Sequence, residues 1–230
     1  MDARGMRATW DALASAETAV YVGDPARGED ELAGLFGRLG ADPRNGVCVE
    51  VGCGPGRMTP ALAERFEQVI AVDVSPAMVE RARAAVTAPN VRFGVVSGER
   101  LDGIEDGIAD VLICYLVLQH LPGRDVVHGL LREIARLLAP RGEAFVQLPV
   151  LERGARPLAW RAARTLAVPL VTRLSGRPDA SAAFRGVRLT AGELDEGLRR
   201  SGLRVLGRDS GPDAPYRHSR DVFLRLAHGR

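Results

Sequence analysis

Three glycines at alternate positions form the stretch of this chain whose residue types and spacing point most directly to chemistry. Gly52, Gly54 and Gly56 directly follow the apolar run 47–51. Glycines after a buried strand let the backbone turn tightly and approach a ligand without obstruction by side chains. A helix beginning near residue 58 would direct its free N–H groups toward the same ligand. The stretch predicts a ligand-binding turn; the alternative is a tight strand-to-helix turn without a ligand.

The spacing of the glycines restricts the kind of ligand. A dinucleotide fingerprint requires G-x-G-x-x-G, but Arg57 stands at the position of its third glycine. A phosphate-binding loop that ends in Gly-Lys is excluded because the chain contains no lysine. Glu50 precedes the loop, and an acidic residue there favours a cationic ligand over a pyrophosphate.

Asp73 is the second candidate binding residue, and it lies at the end of the next apolar run. A carboxylate in that position can accept hydrogen bonds from both hydroxyls of a ribose. The alternative role is an N-cap for the following helix, but Ser75 already supplies that cap. Asp73 therefore predicts a ligand that contains a ribose.

Apolar runs and segments of helical spacing alternate along the chain. Helices are predicted over 6–20 and 29–39, followed by strands over 47–51, 69–74, 91–96, 111–115 and 143–148, with helices over 58–66, 75–86 and 125–138 between them. This alternation predicts a parallel sheet with helices on both faces, and the uniformly apolar strands suit burial on both sides. The order of the strands stays open.

The composition changes after Pro149. Residues 152–188 contain eight arginines and two acidic residues, and residues 151–230 carry a net charge of +8 against −6 for residues 1–150. The alternation resumes with Thr190 as an N-cap, a helix to Arg200, and short strands over 203–206 and 221–226. We predict one domain over 1–230, made of an N-terminal helical cap (1–43), a core (44–150), an inserted lid (152–188) and a C-terminal part of the sheet (189–230).

Three motifs carry a resemblance to a known family. The segments Glu50–Gly56 (EVGCGPG), Val72–Met78 (VDVSPAM) and Val117–Pro122 (VLQHLP) resemble class I S-adenosylmethionine-dependent methyltransferases of the small-molecule type. The resemblance covers about residues 44–150 and continues more weakly over 184–226. It implies an α/β fold with a doubly wound, mostly parallel seven-stranded sheet, Rossmann-like in type. It also implies that S-adenosylmethionine lies across the ends of the first four strands and leaves as S-adenosylhomocysteine.

The resemblance also implies roles for individual residues. The glycines would line the methionine portion with Glu50 near its ammonium group, Asp73 would hold the ribose, and Val74 and Met78 would pack on the adenine. The family often has an acidic residue where Ser97 stands, so the adenine would contact the Ser97 hydroxyl or the backbone of the next two residues. The implied cofactor-binding set is Glu50, Gly52, Cys53, Gly54, Gly56, Asp73, Val74, Met78, Ser97, Gly98, Glu99, Tyr115, Leu116 and His120.

Transfer of a methyl group from a sulfonium requires a positioned nucleophile and, for an alcohol or acid acceptor, removal of a proton. His120 is the candidate base, with a structural role beside the cofactor as the alternative. The fourth strand ends in neither an Asn-Pro-Pro-aromatic signature nor the acidic residue of magnesium-dependent members, so we predict no metal. Candidate substrate residues are Trp10, Tyr21, Phe184 and Arg185, with simple packing in an N-terminal helix as the alternative role of Trp10 and Tyr21.

The arginine-rich segment 156–174 allows three interpretations: a cap over the acceptor site, a helix at a membrane surface, and a nucleic-acid patch. Its position between the fifth strand and the last helix favours the cap, and the modest net charge makes nucleic acid the weakest of the three. The three cysteines, Cys48, Cys53 and Cys114, lie in apolar or glycine-rich stretches and predict buried free thiols in a cytoplasmic protein. We expect neither a membrane span nor a signal peptide.

The predicted function is methylation of a small molecule, a specialised metabolite or lipid-like compound, at O, N or C. One alternative is an S-adenosylmethionine-binding enzyme that catalyses a cyclisation or decarboxylation, and another is a non-catalytic binding partner. A nicotinamide dehydrogenase is disfavoured by the glycine spacing. A monomer and a homodimer both remain open.

Overall fold

The computed structural model describes residues 6–8, 10–11, 14, 27–98, 100–175, 186–213 and 218–229, and side chains for all of these except 165–166, 168–175 and 212–213. Within these residues, seven strands form one sheet in the order β3-β2-β1-β4-β5-β7-β6. Strands β1 to β5 run parallel, and β7 pairs antiparallel with both β5 and β6. The strands are β1 (Val47–Val51), β2 (Gln68–Asp73), β3 (Val91–Val95), β4 (Ala109–Cys114), β5 (Leu138–Leu151), β6 (Leu203–Asp213) and β7 (Ser219–His228).

Helices cover both faces of this sheet. The described helices are α1 (Gly28–Arg38), α2 (Thr59–Ala63), α3 (Pro76–Ala85), α4 (Arg124–Leu137), α5 (Ala155–Ser175) and α6 (Ala191–Arg200), with a 3₁₀ turn at Leu118–His120. Residues 6–8, 10, 11 and 14 are also helical. Neighbouring residues of β1 join different cores: Cys48 packs with α1 and α2, and Val49 packs with α4 and α6. The doubly wound α/β fold predicted from the sequence is therefore confirmed.

Two predicted helix caps are present. The Ser75 hydroxyl accepts a hydrogen bond from the backbone N–H of Met78 at 3.1 Å, at the start of α3. Thr190 and Glu193 form a reciprocal capping box at the start of α6. Both caps satisfy backbone donors that have no partner within the helix. The caps determine the residues at which α3 and α6 begin.

The C-terminal strands are much longer than predicted. The predicted short strands at 203–206 and 221–226 are wrong in extent, because β6 and β7 run for 11 and 10 residues as an antiparallel pair. Gly207 and Asp209 have low strand propensity, and their pairing with Arg225 and Phe223 of β7 overrides it. Strand β5 also begins earlier than predicted, since Leu138 already pairs with Ala109 before a register shift. Helix α2 is shorter than predicted and ends at Ala63.

The insert contains the 21-residue helix α5. Its Arg161 side chain donates hydrogen bonds to the Glu193 carboxylate at 2.5 Å and to the backbone carbonyl of Arg188 at 3.2 Å. Trp160 meets His218 edge to face, with 5.8 Å between ring centroids. Helix α5 is thus attached to the start of α6 and to the turn between β6 and β7. No helix in the described ranges is both long and apolar enough to cross a membrane.

Candidate functional site

The carboxyl ends of β1, β2 and β4 lie side by side at one edge of the sheet. Val51, near the end of β1, pairs with Val72 of β2 on one side and with Cys114 of β4 on the other. Ligand sites of parallel α/β sheets form at this edge, outside the carboxyl ends of the strands. The topology therefore brings together the glycine loop after β1, Asp73 after β2 and the residues that follow β4.

The glycine loop adopts the backbone conformation that its composition predicts. Gly52, Gly54 and Gly56 have φ angles of 75°, 54° and 88°, all in the left-handed region that side chains disfavour. A Cβ atom at Gly52 would also lie 2.3 Å from Cγ2 of Val117. Helix α2 has only five residues, so its N-terminus contributes little to a ligand, contrary to expectation. The backbone of the glycine loop, and not the N-terminus of α2, therefore lines this side of the site.

Asp73 links the two candidate binding segments. Its Oδ2 accepts a hydrogen bond from the Gly54 N–H and its Oδ1 accepts one from the Ser75 N–H, both at 2.9 Å. Burial raises the pKa of Asp73 above its usual value, the backbone N–H groups lower it in part, and the charge of Asp11 raises it. Each carboxylate oxygen has two lone pairs. Asp73 therefore orders the loop and keeps acceptor capacity for ligand hydroxyls.

Glu50 and Arg57 line a cavity at the end of β1, together with Gly52, Cys53, Ile113 and Tyr115. Glu50 is 4% exposed and accepts a hydrogen bond from the Thr59 hydroxyl at 2.7 Å. Burial raises the pKa of Glu50 to about 7, although the Thr59 hydrogen bond and the charge of Arg57 act in the opposite direction. A desolvated carboxyl group of this kind is stabilised as an anion by an incoming cation.

The N-terminal helical residues close the side of the site beyond β2 and β3. Arg7 donates from Nε to the Val74 carbonyl at 3.0 Å and from Nη2 to the Val96 carbonyl at 3.2 Å. Asp11 accepts a hydrogen bond from the Ser75 hydroxyl at 2.5 Å. Sequence reasoning missed both residues, although their i, i+4 spacing places them on one face of a helix. Nothing in that spacing identifies their partners, which lie more than 60 residues away.

Met78 is buried beneath this N-terminal helix. It is 1% exposed and packs with Ala14, and Trp10 lies against the same cluster. Val74 contributes its backbone carbonyl to Arg7. The adenine contacts expected of Val74 and Met78 stay predictions, and the structure adds the N-terminal helix as the neighbour of both.

The loop after β4 is held by buried polar side chains from other elements. Leu116 has a left-handed φ of 59°, and its N–H donates to Oε1 of Gln147 at 3.1 Å. Gln147 in turn donates from Nε2 to Asp221 at 2.7 Å. Burial raises the pKa of Asp221, against the lowering effects of Gln147 and of the Arg188 charge. Gln147 and Asp221 thus set the unusual backbone at Leu116.

Arg188 supports the same loop from the other side. It is 2% exposed, and its Nη1 donates to the carbonyl of Gln119 at 3.0 Å and to that of Gly186 at 3.1 Å. The Val187 N–H also donates to the Leu121 carbonyl at 2.8 Å. Segment 186–188, at the end of the insert, is therefore part of the support of the loop that carries His120. Nothing in the residue pattern indicates this contact beyond the excess of arginine.

His120 contacts Trp10 and Gln119. Its ring meets the Trp10 ring edge to face at a centroid distance of 5.0 Å, and its Nε2 lies 3.0 Å from Nε2 of Gln119. The Gln119 amide pairs with this imidazole nitrogen in either orientation of the amide group. The two aromatic candidates from distant parts of the sequence therefore meet above the loop.

The remaining predicted site residues lie partly within the described structure. The Ser97 hydroxyl accepts a hydrogen bond from the Arg100 N–H at 3.2 Å, and Gly98 has a φ of 86°. Tyr115 is partly buried at the cavity, and burial raises its pKa. The predicted buried free thiols are confirmed at all three cysteines. Glu99, Tyr21, Phe184 and Arg185 lie outside the described residues.

Comparisons with known proteins agree with this geometry. Residues 49–146 match the family described as a methyltransferase domain. Over 105 residues, 45% of this chain, the sequence is 36% identical to trans-aconitate 2-methyltransferase of Methylobacterium radiotolerans. Over 100 residues, 43% of this chain, it is 33% identical to a ubiquinone biosynthesis O-methyltransferase of Xanthomonas oryzae. The matched regions cover only 38% and 41% of these two relatives.

A solved structure extends the likeness to the whole fold. Magnesium protoporphyrin IX methyltransferase from Synechocystis PCC 6803, solved with bound SAH, matches with a TM-score of 0.66 at 17% identity, over 99% of this chain and all of that one. The strand order, the left-handed glycine loop and the carboxylate at the end of β2 accompany a Rossmann-like fold shared with solved methyltransferase structures. Over residues 49–146 the chain is thus similar to the S-adenosylmethionine-dependent methyltransferase family.

The residues at this edge fit the cofactor of that family. A ribose needs acceptors, and the two oxygens of Asp73 keep lone pairs beyond their backbone bonds. A sulfonium-bearing amino acid carries positive charge, and the buried Glu50 offers a carboxyl group whose ionisation such a charge favours. The site accordingly has the donor and charge pattern for S-adenosylmethionine.

Proposed function

We propose that the protein transfers a methyl group from S-adenosylmethionine to a small-molecule acceptor, a specialised metabolite or lipid-like compound. The observation that carries this proposal is the hydrogen bond between the Asp73 carboxylate and the Gly54 N–H, at 2.9 Å. It joins the ribose candidate to the loop that would hold the amino-acid end. The residue proposed to bind the ribose and the loop proposed to bind the amino-acid end thus lie at the same sheet edge.

The acceptor would enter between the loop after β4 and the N-terminal helix. Leu116 and His120 border this region from below, and Trp10 stands against the His120 ring. Helix α5 would cover it as a lid, which its attachment to Glu193 supports. A closed, apolar rim of this kind would exclude water and orient the nucleophile. We place the reaction in the cytoplasm, which the three buried free thiols support.

When bound, S-adenosylmethionine supplies an activated methyl group. The chain's own residues then have to orient the acceptor and, for a hydroxyl or carboxyl acceptor, manage its proton. His120 is the nearest imidazole at the end of β4, but its Nε2 is engaged by Gln119. We propose His120 as the base, with a structural role beside the cofactor as the alternative. A fall in kcat of about 100-fold or more in His120→Ala would support that role, and a smaller loss would indicate a wall residue.

The proposal is tested with the full chain and a panel of acids, phenols and amines. Release of S-adenosylhomocysteine and the mass of the product are followed together, with Gly52→Val as the blocked control because a side chain there meets Val117. Methylated product with equal release of S-adenosylhomocysteine supports the proposal. Turnover unchanged by EDTA supports the metal independence that is part of it.

Two outcomes would replace the proposal by its alternatives. A changed product without release of S-adenosylhomocysteine would assign a non-methylation step such as cyclisation or decarboxylation. Tight S-adenosylhomocysteine binding with no turnover of any acceptor would assign a non-catalytic binding partner. Absence of binding to S-adenosylmethionine and S-adenosylhomocysteine alike would reject the proposed site altogether.

A further inference from the structure

We propose that Arg57 binds the α-carboxylate at the amino-acid end of the ligand, opposite Glu50. This inference rests on the proposed function and extends it to a residue that the binding motif does not include. Arg57 directly follows the last glycine of the loop, where a dinucleotide fingerprint would have its third glycine. It is the residue that sets this loop apart from that fingerprint.

The cavity at the end of β1 holds two opposite charges. Glu50 and Arg57 both line it, and the positive charge of Arg57 acts on the Glu50 carboxyl group. A free amino acid is a zwitterion whose ammonium and carboxylate groups are attached to the same carbon. A buried carboxylate and a guanidinium that face one cavity are the matching pair for such a group. Glu50 alone would leave the ligand carboxylate without a partner.

The guanidinium of Arg57 is oriented from one side and has donors left on the other. Its side chain is 14% exposed, and Nη1 lies 2.9 Å and 2.7 Å from the two carboxylate oxygens of Glu31. Within the described residues, neither Nε nor Nη2 of Arg57 donates a hydrogen bond. Two donors of one planar group are the geometry that binds a carboxylate in a bidentate manner.

Helix α1 fixes the backbone beneath this side chain. A Cβ atom at Gly28, the first residue of α1, would lie 2.0 Å from the Arg57 carbonyl oxygen. The start of α1 therefore packs directly on Arg57, and Glu31 one turn later reaches its side chain. This arrangement holds the guanidinium at the cavity before any ligand arrives, which lowers the entropy cost of binding.

The experiment compares two ligands that differ only in the α-carboxylate. S-adenosylhomocysteine and its decarboxylated analogue, 5′-S-(3-aminopropyl)-5′-thioadenosine, are titrated by calorimetry into wild type and Arg57→Gln. We expect wild type to bind S-adenosylhomocysteine at least about 10-fold more tightly than the analogue, as for a charge-assisted hydrogen-bonded pair. In Arg57→Gln this preference should fall to about 1, through loss of affinity for S-adenosylhomocysteine alone.

Arg65→Gln is the matched control. The Arg65 side chain is 15% exposed and pairs with Asp42 at 2.7 Å, so it resembles Arg57 in burial and charge but does not line the cavity. Its variant should keep the wild-type preference. If Arg57→Gln does not fold, Arg57→Lys takes its place. The preference of Arg57→Lys for S-adenosylhomocysteine over the analogue should lie below that of wild type, because an ammonium group cannot bind a carboxylate in the bidentate manner of a guanidinium.

The outcomes separate this inference from the proposed function. A wild-type preference retained in folded Arg57→Gln, or in Arg57→Lys, overturns the role of Arg57 and leaves the cofactor site intact. Equal binding of the two ligands by wild type overturns it as well. Failure of wild type to bind either ligand overturns both the inference and the proposed function.

Discussion

Gly186 lies directly against the carbonyl oxygen of Gln119: a Cβ atom at Gly186 would stand 1.7 Å from that oxygen and 2.8 Å from the His120 nitrogen. These are backbone atoms, so the clash cannot be relieved by a change of rotamer. The end of the insert and the loop that carries His120 therefore fit together only because residue 186 has no side chain.

Gly186→Ala is expected to cost about 1–3 kcal/mol of stability, as overpacking does, and to lower kcat by moving the loop after β4. Urea unfolding and initial rates measure the two effects. Gly192→Ala in α6 is the control, because nothing lies within 4 Å of the added atom and alanine is the better helix former. Equal behaviour of the two variants would show that the loop and the insert are not in close contact.

Asp73→Asn should weaken binding of S-adenosylhomocysteine by about 2 kcal/mol, or roughly 30-fold. The amide places a donor against the N–H of Gly54 or of Ser75 and removes the charge that strengthens hydrogen bonds to ribose. Calorimetry measures the change, with the exposed Asp195→Asn as the control. An unchanged dissociation constant in folded Asp73→Asn would remove the ribose role from Asp73.

Glu50 should make the stability of the ligand-free protein depend on pH. Its pKa is about 7 in the folded protein and near 4.5 when exposed, so the folded state holds an extra proton between these values. Stability therefore falls as the pH rises from about 4.5 to about 7, by about 3 kcal/mol in total, and levels off above that. Urea midpoints across this range should show the slope in wild type and not in Glu50→Gln.

The affinity for the ligand should also depend on the ionisation of Glu50. A cationic ligand favours the Glu50 carboxylate, so binding at pH 6 should release close to one proton, and affinity should rise toward pH 8. Calorimetry in buffers of different ionisation enthalpy counts the proton. Identical proton release in wild type and Glu50→Gln would contradict a charge partner role for Glu50.

Arg161→Ala is expected to raise the KM for the acceptor and to leave the affinity for S-adenosylhomocysteine unchanged. Arg161 attaches α5 to Glu193 and to the Arg188 carbonyl, outside the cofactor region. Because the Arg161–Glu193 pair is partly exposed, its loss should cost only about 1 kcal/mol of stability. Arg156→Ala, an exposed position on the same helix, is the control. Salt-sensitive binding to anionic vesicles that disappears in Arg161→Ala, with unchanged KM, would favour the membrane interpretation instead.

The core of the fold could be predicted from the sequence because buried parallel strands are continuous apolar runs. The bounds of β1 to β4 lie within two residues of the predictions at each end. The C-terminal hairpin could not be predicted in length, since Gly207 and Asp209 join β6 through pairing with β7. Its extent is a property of the partner strand and not of local propensity.

The candidate site, like the fold, has one part that could be predicted from the sequence and one part that could not. The glycine loop and Asp73 have a local signature, because left-handed backbone and a strand-end carboxylate show in the residue types. The contacts of Arg7 and Arg188 join residues 67 or more positions apart. No spacing rule connects such positions, and in a chain whose only basic residues besides histidine are arginines, residue type does not single them out.

The placement of Cys53 has a consequence for chemical self-protection. This thiol stands inside the glycine loop, beside the position proposed for an electrophilic sulfonium compound. A thiolate there would be open to alkylation, since the thiolate and not the thiol is the nucleophile. Burial raises the pKa of Cys53 well above its usual value, and the charges of Glu50 and Asp73 raise it further. Burial, aided by the carboxylates proposed to hold the reagent, thus also keeps the Cys53 thiol protonated and unreactive toward it.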